Sequence, residues 1–395
     1  MAATTEIVDP QGVLAGIKVI DCDAHWVEPP DLWTSRAPAK LRDKMPQMKV
    51  VDGVSRWFIG DRDIGAMGAS VVTKDLEKIH HRVSLETFDM IDPASYDAAL
   101  RLQRMDDVGL HAQIVYPNGT GFTGNNFAAI EDPEIRLACV KIYNDAIAEW
   151  QAQSGGRLFP QALVPPWDRD EAVEEARRAV EELDLRGLTL GDPRLFGVPG
   201  FTTDHWKPFW ELCNSARVPV NFHIGGTTGI DSFSAVWDDY GDEKHLALAS
   251  TLFYMANWAT IGNFLISGLL DTYPNLRIVS AESGIGWIPF ALDALEYQLD
   301  ETARTEAKHL QRRPREYFRD HVYACFWFER YAPTSMIEAI GVGNVLFETD
   351  FPHPTCLWPD SQAHTIEVLG HLSYEDRKRI LQDNAAELYK IDVGD

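Results

Sequence analysis

Four short stretches of this sequence end in side chains of the kind that hold divalent cations. The first, Val19-Ile-Asp-Cys-Asp-Ala-His-Trp-Val-Glu-Pro, offers Asp23 and His25. In an extended chain, side chains two apart point the same way, so both can reach one ion. The second, Val218-Pro-Val-Asn-Phe-His-Ile-Gly-Gly, sets His223 beside two glycines. The third, Ile278-Val-Ser-Ala-Glu-Ser-Gly, ends on Glu282, and the fourth, Val345-Leu-Phe-Glu-Thr-Asp-Phe-Pro-His-Pro, supplies Asp350 and then His353. A mixed set of imidazoles and carboxylates suits Zn, Mn or Fe, with a position left open for water or substrate. Such an ion lowers the pKa of a bound water or polarises a carbonyl or carboxylate oxygen.

Each residue also has a plainer role open to it. Asp23 or Asp350 alone could cap a helix. His223 alone could be a satisfied core histidine, Glu282 an ion-pair partner, and His353, between two prolines, a turn residue. Their conjunction carries the reading, because one layer at the end of a barrel would collect Asp23, His25, His223, Glu282 and Asp350. Cys22 and Cys356 read as packing residues. No GxSxG stands in the sequence, which argues against a serine hydrolase.

What must position these residues is a recurring unit: a short β-branched run, a polar residue, then a helical stretch. Strands are expected at Ile17–Asp21, Ala112–Tyr116, Gln161–Val164, Gly187–Leu190, Pro219–His223, Arg277–Ala281, Val322–Phe326 and Asn344–Phe347. Helical patterns such as Ile135–Gln151, Arg169–Leu183, Trp206–Ser215 and Ile288–Leu310 lie between them. Near-continuous apolar strands alternating with amphipathic helices imply a parallel sheet covered by helices. The expected fold class is α/β, a (β/α)8 TIM barrel, whose frame needs about 250 residues. The excess sits after strands 1 and 5, at Pro29 to about Leu100 and at Gly225 to about Ser250. A barrel carries lids and substrate walls at that end. Residues 1–395 are thus read as a single domain, with about 30–100 as a lid. An open doubly wound sheet is the alternative, weakened by the lack of a Gly-rich loop after the first strand.

The chain has 395 residues, 60 Asp plus Glu against 36 Lys plus Arg, and a formal charge of −24. So negative a surface repels phosphate backbones, which argues against nucleic acid and anionic membranes as partners. Five scattered cysteines without a CxxC pair indicate a reducing compartment and no cysteine zinc site. No basic-then-apolar leader pattern opens the sequence, so a cytoplasmic protein is expected. Leu246 to Leu270 holds no charged residue, but its asparagines, glycines and hydroxyls read as buried barrel helices, some at a subunit interface, rather than as a membrane span.

Taken together, the motifs resemble the amidohydrolase 2 family, the metal-dependent TIM-barrel group that includes aminocarboxymuconate-semialdehyde decarboxylase and the resorcylate-type decarboxylases. The resemblance runs from Val19 to about Tyr389. It rests on Asp23-Ala-His25-Trp-Val-Glu28, Tyr116-Pro-Asn118, Asn221-Phe-His223, Glu282-Ser-Gly-Ile-Gly-Trp287, Glu348-Thr-Asp350-Phe-Pro-His353 and Asp383-Asn-Ala-Ala-Glu-Leu-Tyr389. It implies a metal held by Asp23, His25, His223 and Asp350. Two departures stand out: the first pair is Asp-x-His where the decarboxylases often have His-x-His or Glu-x-His, and Glu282 stands where they usually place a histidine.

A carboxylate at 282 can still move protons if desolvation or like charge raises its pKa. It can equally bind a second metal with Glu28 or His353 helping. The expected function is therefore a metal-dependent hydrolase or decarboxylase-like lyase acting on a small organic acid or a cyclic or aromatic compound. Its divalent cofactor is Zn, Mn or Fe, as one or two ions. Glu282 and His353 are the acid–base or transition-state groups, and Trp26, Tyr116, Asn118 and Phe326 line the pocket. A dinuclear iron or manganese oxygenase and a non-catalytic partner subunit are the other readings. The partners expected are a small-molecule substrate and a second copy or related subunit in an oligomer.

Overall fold

The computed structural model describes residues 9, 12–119, 121, 126–127, 130–226 and 241–394. Among the described residues the strands are β1 (Ile20–Trp26), β2 (Gln47–Val51), β3 (Val54–Ile59), β4 (Arg62–Ala66), β5 (Ala112–Pro117), β6 (Leu158–Pro160), β7 (Ala162–Leu163), β8 (Leu188–Thr189), β9 (Val220–His223), β10 (Ile278–Ala281), β11 (Val322–Phe326) and β12 (Val345–Phe347). β1, β5 and β6 pair in parallel, and β7 to β12 pair in parallel in chain order. β6 and β7 occupy one strand position interrupted at Gln161, whose backbone N–H still reaches Val115 O at 2.8 Å. The chain just past β12 meets β1: Asp350 N donates to Asp23 O at 2.8 Å and His25 N to Phe351 O at 2.7 Å. The eight strand positions form a (β/α)8 barrel, as expected.

The barrel interior is filled by Ile20, Cys22, Ala112, Ile114, Tyr116, Phe159, Val279, Ala281, Cys325 and Leu346, with Tyr389 rising from below. Each sits on alternate positions of its strand, while the residues between them pack against the helix layer. Cys22 is thus a packing residue, and Cys356 is likewise buried among apolar side chains. Some helices begin where an aspartate satisfies the free amides. Asp132 accepts from Glu134 N ahead of helix Pro133–Gln153, and Asp168 from Asp170 N and Glu171 N ahead of helix Arg169–Glu181. Helix Ile288–Thr302 stops earlier than its apolar pattern, and a short turn at Glu306–His309 follows.

The first insertion is more ordered than a lid of loops. β2, β3 and β4 form an antiparallel sheet, and Trp57 of β3 packs edge-on against Trp33, 5.0 Å between centroids. Of the second insertion, residues 227–240 lie outside the described residues, and helix Asp242–Phe253 follows. Leu246 to Leu270 is divided among helices Asp242–Phe253, Asn257–Ile266 and Leu269–Thr272. Among the described residues, no helix is long and apolar enough to cross a membrane.

Candidate metal centre

β1 brings two candidate ligands inward by breaking its own alternation. Ile20 and Cys22 face the interior, so a regular strand would turn Ala24 inward next. The register against β5 shifts between Asp21 and Ala24, and beyond the shift His25 stands opposite Tyr116, on the inner face. A bulge of this kind re-aims side chains at the rim of a barrel. Two further candidate residues sit at turns: Glu282 and Asp350 have φ of 48° and 59°, left-handed conformations that non-glycine residues rarely adopt and that cluster at functional sites.

The side chains converge. His25 Nε2 lies 3.4 Å from Asp23 Oδ1 and 3.5 Å from Asp350 Oδ1. His223 Nε2 lies 3.3 Å from Asp23 Oδ2 and 3.2 Å from Glu282 Oε2. His353 Nδ1 is 2.8 Å from Asp350 Oδ1, and its ring stacks on His25 at 3.5 Å. Two overlapping ligand groups result, Asp23–His25–His223–Glu282 and His25–Glu282–Asp350–His353, each with its atoms within 4.8 Å of one another. All six residues are buried.

This donor set fits a divalent cation. Both oxygens of Asp23 and Oε2 of Glu282 are buried without a hydrogen bond, an expensive arrangement unless a cation meets them. His25 Nδ1 is 2.9 Å from Pro117 O, and His223 Nδ1 is 2.9 Å from Ile224 O. Those bonds fix the rings with Nε2 toward the carboxylates, as carbonyl partners do for metal-bound histidines. Atoms each about 2.1 Å from one ion stand roughly 3.0–3.4 Å apart at octahedral or tetrahedral angles, close to the contacts above.

Electrostatics agree. Burial, then the charges of Asp350 and Asp21, pushes the Asp23 carboxyl well above its ordinary range. Burial, then Asp350 and Asp23, does the same to Glu282. Burial also raises Asp350, but His353 and His25 more than offset it and hold that carboxyl low. Burial lowers His223 to about 4 and, with His353, lowers His25, so both imidazoles are neutral and able to donate a lone pair.

Reading the sequence does not find several neighbours of this cluster. Glu348 Oε2 accepts Glu282 N at 3.1 Å and helps to hold its left-handed turn. Thr355 Oγ1 donates to Asp350 Oδ2 at 2.7 Å. Tyr254 stands edge-on to Trp327 at 5.2 Å, and the charges of Glu282 and Asp350 help to raise its hydroxyl pKa after burial. Only Glu348, inside the Glu-Thr-Asp run, had a signal in the sequence.

The structure gives four of the expected site residues contacts within the protein itself. Trp26 follows His25 and so faces outward, its indole N–H on Tyr96 O at 3.2 Å and its ring against Tyr143 and Trp150. Phe326, one past inward-facing Cys325, packs on Phe347 in the outer layer. Asn118 clasps Ala69, with Oδ1 accepting from Ala69 N at 2.7 Å and Nδ2 donating to Ala69 O at 2.8 Å. Glu28 belongs to neither ligand group, and its oxygens accept from Asn118 N at 3.2 Å and Gly119 N at 2.7 Å. Tyr116 does adjoin the centre, 5.0 Å from the His223 ring, but as a buried floor whose hydroxyl donates to Asn221 Oδ1 at 3.1 Å.

The amidohydrolase family model, Amidohydro_2, matches residues 20–391. The chain belongs to the amidohydrolase family. It is 26% identical over 306 residues to gamma-resorcylate decarboxylase of Rhodococcus jostii, a match spanning 74% of this chain and 87% of that one. The fold is similar to that of an amidohydrolase from Mycobacterium avium subsp. paratuberculosis, with TM-score 0.72, 24% identity and coverage of 96% and 100% of the two chains. It is also similar to a dihydroxybenzoic acid decarboxylase from Polaromonas sp. JS666 solved with manganese and 2-nitroresorcinol, with TM-score 0.60, 20% identity and coverage of 95% and 97%. Family membership agrees with the resemblance read from the motifs and with the expectation of a metal-dependent amidohydrolase-related enzyme.

Proposed function

We propose that this chain is a metal-dependent decarboxylase of a small aromatic carboxylic acid, with Asp23, His25, His223 and Asp350 as the cation's ligands and Glu282 as the proton donor. The observation that carries the reading is Glu282 itself, a buried carboxyl against the ligand cluster with its pKa raised by burial and neighbouring acids. The names of the relatives supply the substrate class. A divalent cation bound here polarises oxygens of the substrate and holds its carboxylate in place.

An aryl carboxylate loses CO2 once the carbon bearing it has been protonated. A C–H bond forms at that carbon, the C–C bond breaks, and its electron pair restores the aromatic ring. The acid that supplies the proton must hold it more tightly than an ordinary carboxyl and be shielded from water; Glu282 is buried, and burial with the charges of Asp350 and Asp23 shifts its pKa in that direction. His353, held by Asp350 at 2.8 Å and stacked on His25, can donate a hydrogen bond to charge developing on the substrate. Tyr254 and Trp327 supply the aromatic surface expected of Trp26 and Phe326, and residues 1–395 form one domain whose first insertion, about 30–100, serves as a lid over the site.

The two ligand groups share His25 and Glu282, and His25 Nδ1 faces Pro117 O, leaving one nitrogen for a metal. The decarboxylase relatives favour a decarboxylase over the dinuclear oxygenase. A cytoplasmic oligomer of identical or related subunits fits the exposed Leu246, Leu248 and Met255 of the uncharged helical segment, and light scattering would measure its size. The test of function is CO2 release from 2,6-dihydroxybenzoate and 5-carboxyvanillate by manganese-loaded protein. Release from either supports the reading, and oxygen uptake without CO2 release would replace it.

A further inference from the structure

Behind the ligand cluster, on the helix side of β1, lies a buried polar group that proton transfer does not use. Arg101, on helix Ala98–Asp107, is fully buried between the rings of Phe351 and Trp150, 4.8 and 5.7 Å from their centroids. Its guanidinium meets oxygens of the chain: Nε donates to Ala94 O at 2.6 Å, and Nη2 to His25 O at 2.6 Å and Ser95 O at 3.4 Å. Nη1 donates to Gln113 Oε1 at 3.2 Å. Gln113 passes the contact on, its Nε2 donating to Asp21 Oδ2 at 2.8 Å. Asp21 in turn accepts from Thr349 Oγ1 at 2.5 Å, Thr349 N at 2.8 Å and Asp23 N at 3.2 Å.

A neutral amide thus joins a buried cation to a buried carboxylate, using its acceptor on one side and its donor on the other. Packing alone does not explain the arrangement, because apolar side chains of the same volume fill a core at lower cost than buried ions. What the group touches is specific: the carbonyl of His25, the amide of Asp23, and Thr349 beside Asp350. Asp350 is the residue held at φ 59°, and the bonds from Thr349 to Asp21 anchor that turn to β1. Arg101 also ties in the insertion, since Ser95 O accepts from Val27 N at 2.9 Å just beyond the ligands.

We propose that Arg101, Gln113 and Asp21 form a positioning relay that fixes the ends of β1 and β12, so that Asp23, His25 and Asp350 converge on one cation. The proposal rests on the ligand assignment above. Groups that orient metal ligands typically change affinity 10- to 100-fold when removed.

The test is Mn2+ affinity, read from the free-ion electron paramagnetic resonance signal during titration of metal-stripped full-length protein. Gln113→Met cuts the relay at nearly constant volume and is expected to weaken Mn2+ binding by about 10-fold or more. Thr349→Val removes only the hydroxyl bond to Asp21 and is expected to weaken it by about 3-fold or more, which keeps the test open if Gln113→Met does not fold. A purely structural role would lower the melting temperature of the stripped variants and leave Mn2+ affinity at the wild-type value, and that result overturns the relay. Failure of wild-type protein to bind Mn2+ would instead overturn the ligand assignment on which the relay depends.

Discussion

Glu282→Gln separates the two roles open to this carboxyl. The replacement keeps the side chain's length, and its position is set by the backbone: Glu282 N donates to Glu348 Oε2 at 3.1 Å and φ stays at 48°. Four ligands remain for the cation without it, so metal content should stay near the wild-type value. What is lost is the acid. Positioned proton transfer contributes about 10²- to 10⁴-fold, or about 2.7–5.4 kcal/mol of barrier, so kcat for CO2 release should fall by that factor. KM should change by less than about 3-fold, because the substrate's contacts with cation and wall are kept. The pH profile should change as well. Glu282 acts in its protonated form, so wild-type kcat should decline as pH rises through its raised pKa, and the residual rate of the variant should lack that limb. The assay is CO2 release at saturating substrate, with metal measured on the same samples. A kcat within about 5-fold of wild type, with metal retained, refutes the acid role. Parallel loss of metal and activity refutes it too, and makes Glu282 a ligand.

Asp21 links stability to pH. Burial pushes its carboxyl up to about 6, against opposing hydrogen bonds from Thr349 and Gln113. A raised folded-state pKa gives stability that is fully present below about pH 4 and lost as pH rises through about 6. A shift of about 2 units is worth roughly 3 kcal/mol, or roughly 4 °C for a chain of this length. Wild type should therefore gain about that much relative to Asp21→Asn between pH 7 and pH 4, measured by thermal melts of metal-stripped protein; a flat difference contradicts the assignment. Asn118→Ala leaves both Ala69 backbone groups without their clasp and should destabilise by about 1–3 kcal/mol, with less than about 2-fold change in KM; a large KM increase at unchanged stability would return Asn118 to the substrate. Phe326→Leu should cost about 1 kcal/mol through lost packing on Phe347 and leave KM unchanged, whereas a KM effect would place that ring in the pocket.

The convergence of the candidate ligands was legible in the sequence because each sits at the tip of an apolar strand, and eight such strands have few ways to arrange themselves. Inward and outward facing was harder to read. Alternation is a sound rule until a bulge intervenes, and the one in β1 lets His25 face in, so that Trp26 faces out. β11 shows the converse: its alternation was readable, but nothing marked Cys325 rather than Phe326 as the inner residue. Asn118 and Glu28 hydrogen-bond to backbone here, and polar residues near a strand end look the same in sequence whether they meet substrate or clasp backbone. The relay of Arg101, Gln113 and Asp21 joins three separate elements, and its hydrogen bonds exist only once the barrel has closed. Tyr254 lies within an uncharged helical segment where an aromatic residue carries no signal of its own.

The central claim, that this barrel holds one catalytic divalent cation, is tested most directly by elemental analysis of protein purified without added metal or chelator, paired with CO2 release before and after chelation. The account predicts about one manganese or zinc per chain in the wild type, activity lost on chelation and restored by Mn2+, and both metal and activity lost in His223→Ala. Full activity in metal-free protein, or metal content unchanged by His223→Ala, would contradict it.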